Sequence, residues 1–115
     1  MRVTTDLWVS ALVRRVFSAG GYAAVMRRGA SEAGAVFILV RGRDGLSALY
    51  GPAAQTSYEA ARPEERLFSV LQDAVDDAAV AARLERESRF DPDLWVVELE
   101  IGAGEAERFF ALTTP

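Results

Sequence analysis

Residues 63–90 read PEERLFSVLQDAVDDAAVAARLERESRF, and the division of this stretch decides the fold. Pro63 followed by Glu64 and Glu65 has the composition of a helix start. Proline suits the first helical position, and acids there oppose the positive end of the helix dipole. One helix from there to Arg89 would exceed the usual roughly 8–20 residues of a globular helix. The alternative division makes Leu67–Gln72 a strand and gives Asp73 to Asp77 to a turn and a cap. Ala78–Arg89 is then a helix, with Glu85 and Arg89 spaced i, i+4 in the favourable order. This second reading is preferred: a fourth strand, then a second helix.

Working outward, the tetrapeptide DLWV occurs at Asp6–Val9 and again at Asp93–Val96. Around the first copy, Thr4, Thr5 and Asp6 are N-cap residues. Apolar residues follow at 8, 9, 12, 13, 16 and 17, the spacing of one helix face. Gly20 and Gly21 then offer the left-handed turn that stops a helix. Asp6–Ala19 is therefore expected to be helical, with Trp8 on its buried face. Around the second copy, Pro92 disfavours helix in the residue before it. Trp95, Val97, Leu99 and Ile101 alternate with Val96, Glu98 and Glu100, as in a strand with one buried face. Both tryptophans are expected to be largely buried, and no internal repeat is implied.

Between these elements, Tyr22–Arg28 alternates as a strand and Ala30–Gly34 is its turn. Ala35–Val40 is continuously apolar, as in a central strand buried on both faces. Asp44-Gly45 is a hairpin signal, after which Leu46–Gly51 returns. These three strands read as a meander. Gly51–Pro63 is a long loop, and long loops in compact domains are often functional. The tail Glu105–Pro115 carries Phe109 and Phe110, which as neighbours cannot share one face of a strand. It is expected to be held by contacts: as a docked segment, a sixth strand, or an arm on a partner. The result is one α+β domain over residues 1–115, in the order α-β-β-β-β-α-β. Its mixed, mostly antiparallel sheet of about five strands is packed with two helices.

Composition closes many chemistries. The chain has no His, Cys, Lys or Asn, and all 13 basic residues are Arg. Without Lys there is no Schiff base and no P-loop lysine. Without His there is no imidazole base, and zinc sites lose both their usual ligand types. An enzyme is disfavoured and no cofactor is expected. Charge is uneven: residues 1–62 hold eight Arg against four acids, and residues 63–115 hold five Arg against thirteen. With a pI near 4.8, nucleic acid is a disfavoured partner. There is no apolar run of spanning length and no convincing signal peptide, so a cytoplasmic location without membrane attachment is expected.

Four stretches carry a resemblance: DLWVSALVRRVF (Asp6–Phe17), RRGASEAGAVF (Arg27–Phe37), LYGPAAQTSYEAARP (Leu49–Pro63) and RFDPDLWVVELE (Arg89–Glu100). Together they resemble an uncharacterised family of small alphaproteobacterial proteins, a domain of unknown function. The resemblance covers nearly the whole chain in the same order. It implies a bacterial cytoplasmic protein of one domain, and it implies no substrate, cofactor or catalytic residue. It also supports dividing residues 64–90.

Candidate sites remain, each with a plainer explanation. Gly102-Ala103-Gly104 follows a strand but lacks the third glycine of a dinucleotide loop. Arg28–Gly34 has the arginine and glycines of an acyl-CoA pyrophosphate loop, but it leads into strand-like sequence where such a loop needs a helix N-terminus. Asp73, Asp76 and Asp77 offer oxygen ligands without the spacing of a calcium loop. Gln55, Thr56 and Tyr58, in the long loop, combine hydrogen-bonding groups with an aromatic ring and suit a ligand or partner. Arg27, Arg28, Phe109 and Phe110 complete the set of ligand or partner candidates. The expected function is a small non-catalytic protein-interaction module, possibly self-associating. The alternatives are a small-molecule or nucleotide binder using the 51–63 loop and, less favoured, an acyltransferase-like enzyme.

Overall fold

A computed structural model describes residues 3–54 and 66–113. The first helix, α1 (Thr5–Ser18), is capped by the Thr4 hydroxyl, which accepts from the Leu7 amide. Strands β1 (Tyr22–Arg27), β2 (Val36–Arg41), β3 (Ser47–Pro52) and β4 (Leu67–Val75) follow. Helix α2 (Asp77–Phe90) is capped by Asp76. Then come β5 (Trp95–Glu100), a short 3-10 turn (Ala106–Arg108) and β6 (Ala111–Leu112). Over residues 66–90 the division into strand and helix holds, but the strand runs on to Val75 through Asp73, where a turn was expected, and Asp76 caps the helix. The fold is α+β in the expected order, with the tail adding a sixth, two-residue strand to the sheet.

The order across the sheet is β1-β5-β2-β3-β4-β6. This corrects the meander. β1 and β2 are not neighbours, because β5 lies between them, antiparallel to β1 and parallel to β2. It also corrects the reading of β5 as a strand with one buried face. Flanked on both edges and covered on both faces, it buries Val96 and Glu98 as well as Trp95, Val97 and Leu99.

The connection from β1 to β2 must therefore step across the start of β5, and its glycines show how closely. A Cβ on Gly29 would lie 2.0 Å from the Asp93 carbonyl oxygen, and one on Gly34 would lie 2.5 Å from the same atom. Ala30 N donates to the Asp93 carbonyl at 3.0 Å, and Trp95 Nε1 donates to the Ala30 carbonyl at 2.8 Å. The same loop accepts from α1, at Ser31 from the Asp6 amide (2.9 Å) and at Gly34 from the Thr5 hydroxyl (3.1 Å).

Two cores result. On one face, Val9, Leu12 and Val16 of α1 pack on Val36, Ile38, Trp95, Val97 and Leu99. The tail completes this layer: Phe109 and Phe110 are buried, and Phe110 meets Tyr50 and Phe68 edge-on. Arg15 donates to the Phe109 carbonyl at 2.7 Å. The buried stripe of α1 is narrower than the apolar spacing suggests. Trp8 is only half-buried, against Phe68 and beneath Arg66, and Phe17 is exposed. On the other face, Phe37, Leu39, Leu49 and Val96 pack against Val80 and Leu84 of α2. A buried carboxylate there needs a partner. Glu98 accepts from Arg41 Nε at 2.9 Å, and Arg41 also reaches Asp77 at 2.7 Å. Those two hydrogen bonds hold the Arg41 guanidinium above its ordinary range, that to Asp77 most.

Gly29→Ala is expected to cost about 1–3 kcal/mol or more, as overpacking against rigid backbone does. Urea unfolding checks this, and a variant as stable as the wild type would contradict the crossing. A second expectation concerns Tyr50, whose hydroxyl is raised above its ordinary value by burial first and by the Asp73 charge second. The unfolded chain ionises this group before the folded one does. Its contribution to stability is thus full below about pH 10 and falls as pH rises through the folded-state value. Tyr50→Phe should flatten the alkaline part of a stability–pH curve and leave the neutral part unchanged in slope.

Candidate functional site

β1 lies at one end of the sheet and pairs on one side only. Its sequence, Tyr-Ala-Ala-Val-Met-Arg, has no charge before Arg27. Tyr22, Val25 and Met26 are 47%, 41% and 57% exposed, and Phe17 stacks edge-on against Tyr22. The other edge differs. β6 covers only the start of β4, and the remainder of β4 is broken by two register shifts, left-handed Ala74 (φ 53°) and the charge of Asp73. Bulges and charges are the usual protection of an edge strand. β1 has one shift, between Val25 and Arg27.

A groove of about 280 Å³ runs between α1 and β1. Val9, Val13, Phe17 and Val25 make its apolar walls, and Asp6, Arg14 and Arg28 bring charge to it. Trp95 lies at its base, with the Arg28 guanidinium 5.0 Å from the ring centroid. Arg28 also pairs with Asp6 at 2.9 Å. On the opposite face of β1, a second groove of about 350 Å³ is lined by Met26, Arg27, Leu84 and Val96. β1 is thus an apolar strand with a groove on each side and an unpaired edge between them.

The sequence-derived candidates are scattered in this geometry. Arg27 and Arg28 flank β1 on opposite faces. Arg27 donates to the Pro92 carbonyl at 3.0 Å. Gln55, Thr56 and Tyr58 lie outside the described residues. Phe109 and Phe110 belong to the core, at 7% and 5% exposed, so this chain already covers them. The Arg28–Gly34 loop leads into β2 and not into a helix. Asp76 is a cap and Asp77 an ion-pair partner. Among the described residues, no group of three or more His, Cys, Asp or Glu is placed to hold a metal ion. No described helix is long and apolar enough to cross a membrane. Val13, Phe17 and Val25 were not among the candidates. The signal they left is the run Tyr22–Met26, apolar on both faces where an exposed edge needs one polar face.

These features define a small α+β protein whose distinctive surface is a largely apolar, unpaired edge strand beside an apolar groove. It belongs to the DUF1491 family, described as a protein of unknown function, whose profile matches residues 3–110. The solution structure of protein Atu0922 from A. tumefaciens is similar, with 47% identity, a TM-score of 0.86, and coverage of 100% of this chain and 98% of that one. The crystal structure of a DUF1491 family protein from Caulobacter crescentus CB15 shares 33% identity at a TM-score of 0.76, covering 98% of this chain and 99% of that one. Both organisms are alphaproteobacteria, as the sequence resemblance implied. No curated protein matches the chain.

The two tryptophans, Trp95 at the groove and Trp8 against Phe68, should separate in stability. Trp95 is fully buried, so Trp95→Ala should cost about 3–5 kcal/mol. Trp8→Ala should cost less than half of that. Equal shifts in denaturation midpoint would contradict the burial described.

Proposed function

We propose that this chain is a non-catalytic protein-interaction module whose binding element is the edge of β1. The observation that carries the reading is the exposure of Tyr22, Val25 and Met26 on a strand that pairs on one side only. An extended segment added there would satisfy the outward backbone groups of β1 and place alternate side chains in the grooves on either face. This is the β-augmentation mode of recognition, in which main-chain hydrogen bonds give affinity and pockets give specificity. The missing imidazole, thiol and amine groups support a binding role over a catalytic one.

The test is an NMR titration of the ¹⁵N-labelled protein with a pool of alternating valine–threonine heptapeptides. Shifts should centre on the amides of Tyr22–Arg28, and backbone N-methylation of the peptides should abolish them. Shifts centred elsewhere, or unaffected by N-methylation, would remove the reading.

A further inference from the structure

The α1–β1 groove carries a charge imbalance that points to the kind of segment β1 receives. Its walls are apolar, and its charged groups are two arginines and one acid, Arg14, Arg28 and Asp6. Asp6 pairs with Arg28, and both side chains are well exposed, at 41% and 63%. Exposed pairs of this kind contribute little and exchange partners readily, so Arg28 can accept a second carboxylate. Arg14 forms no ion pair among the described residues. On the opposite face, Arg27 and Glu85 line the second groove; Glu85 pairs with Arg89, and Arg27 donates to the Pro92 carbonyl and forms no ion pair among the described residues. Glu100, opposite Tyr22, stands at the far end of β1 from Arg27 and Arg28. The net excess at this edge is therefore positive, and on the α1 side it falls beside the apolar pocket of Val13, Phe17 and Val25.

Resting on the reading of β1 as a docking edge, we propose that its occupant is an extended segment of another protein that carries acids beside apolar residues. One apolar side chain enters between Val13, Phe17 and Val25, and a carboxylate near it meets Arg14 and Arg28. Arginine holds a carboxylate through paired N–H donors, which fixes register as well as charge. A second copy of this chain fits less well. It would present Tyr22–Arg28 itself, a stretch with two arginines and no acid, and would leave Arg14 without a partner.

The experiment is a selection of random heptapeptides on the full chain by phage display. Representative binders are then measured by fluorescence anisotropy and mapped by NMR. The selected peptides should be enriched in Asp and Glu next to apolar residues and should shift the Tyr22–Arg28 amides. Arg14→Glu, an exposed substitution, should weaken them about tenfold or more, and added salt should narrow that difference. Peptides that map to β1 but show no enrichment in acids, or that bind Arg14→Glu equally well, would overturn the acidic occupant and leave the docking edge standing. A dimer in sedimentation whose β1 amides are protected at the interface would make the occupant a second copy and overturn the proposal. Selected peptides that never perturb β1, in a protein that stays monomeric, would overturn the proposal and the docking edge together.

Discussion

The structure depends on one close approach, the backbone of residues 29–34 lying on the backbone of residues 93–95. The chain lays down β1 and β2 first and leaves a strand-wide gap between them. β5 fills that gap from the other end of the sequence. The connection can only clear β5 if no side chain intervenes at Gly29 and Gly34. Once it clears, Trp95 is fixed at its edge by the Ala30 carbonyl and over its face by Arg28. The N-terminus of α1 is tied to the same loop through Thr5 and Asp6. The two DLWV copies, one helical and one extended, are thereby held by a single loop.

The central place of β5 also explains the charges. A strand flanked on both edges and covered on both faces cannot present Glu98 to water. Glu98 is retained through Arg41, which in turn draws the first turn of α2 onto the sheet through Asp77. α2 contributes only Val80 as a fully buried side chain, so this cluster and the contacts of Leu84 do much of the work of seating it. The opposite layer needs no such device, because α1 and the two tail phenylalanines supply a continuous apolar cover.

The elements were legible in the sequence because each rests on local signals: Thr4 and Asp76 as caps, Gly20 as a stop with positive φ, Asp44-Gly45 as a turn. The pairing order was not, because β5 reaches its place through contacts distant in sequence. Periodicity cannot report which strand lies beside which, and Glu98 looked like one residue of a solvated face. Gly29 and Gly34 were the visible trace of the crossing, but a hairpin turn uses glycine as well. Of the candidate residues, Arg27 and Arg28 flank the edge strand and Phe109 and Phe110 are core. Two adjacent aromatics in a tail signal burial without saying what buries them. The groove was missed because it forms between α1 and β1, and no single element carries its pattern.

The late arrival of β5 has a consequence for synthesis. A growing chain exposes β1 and β2 long before residues 95–100 are made, and a domain folds as a unit. Until then β2 lacks the partner that β5 supplies on that side. The tight passage at Gly29 and Gly34 favours the native arrangement only after β5 is present. The native sheet of this protein can therefore be completed only late in synthesis, because the strand that joins β1 to the rest of it is made after residue 94.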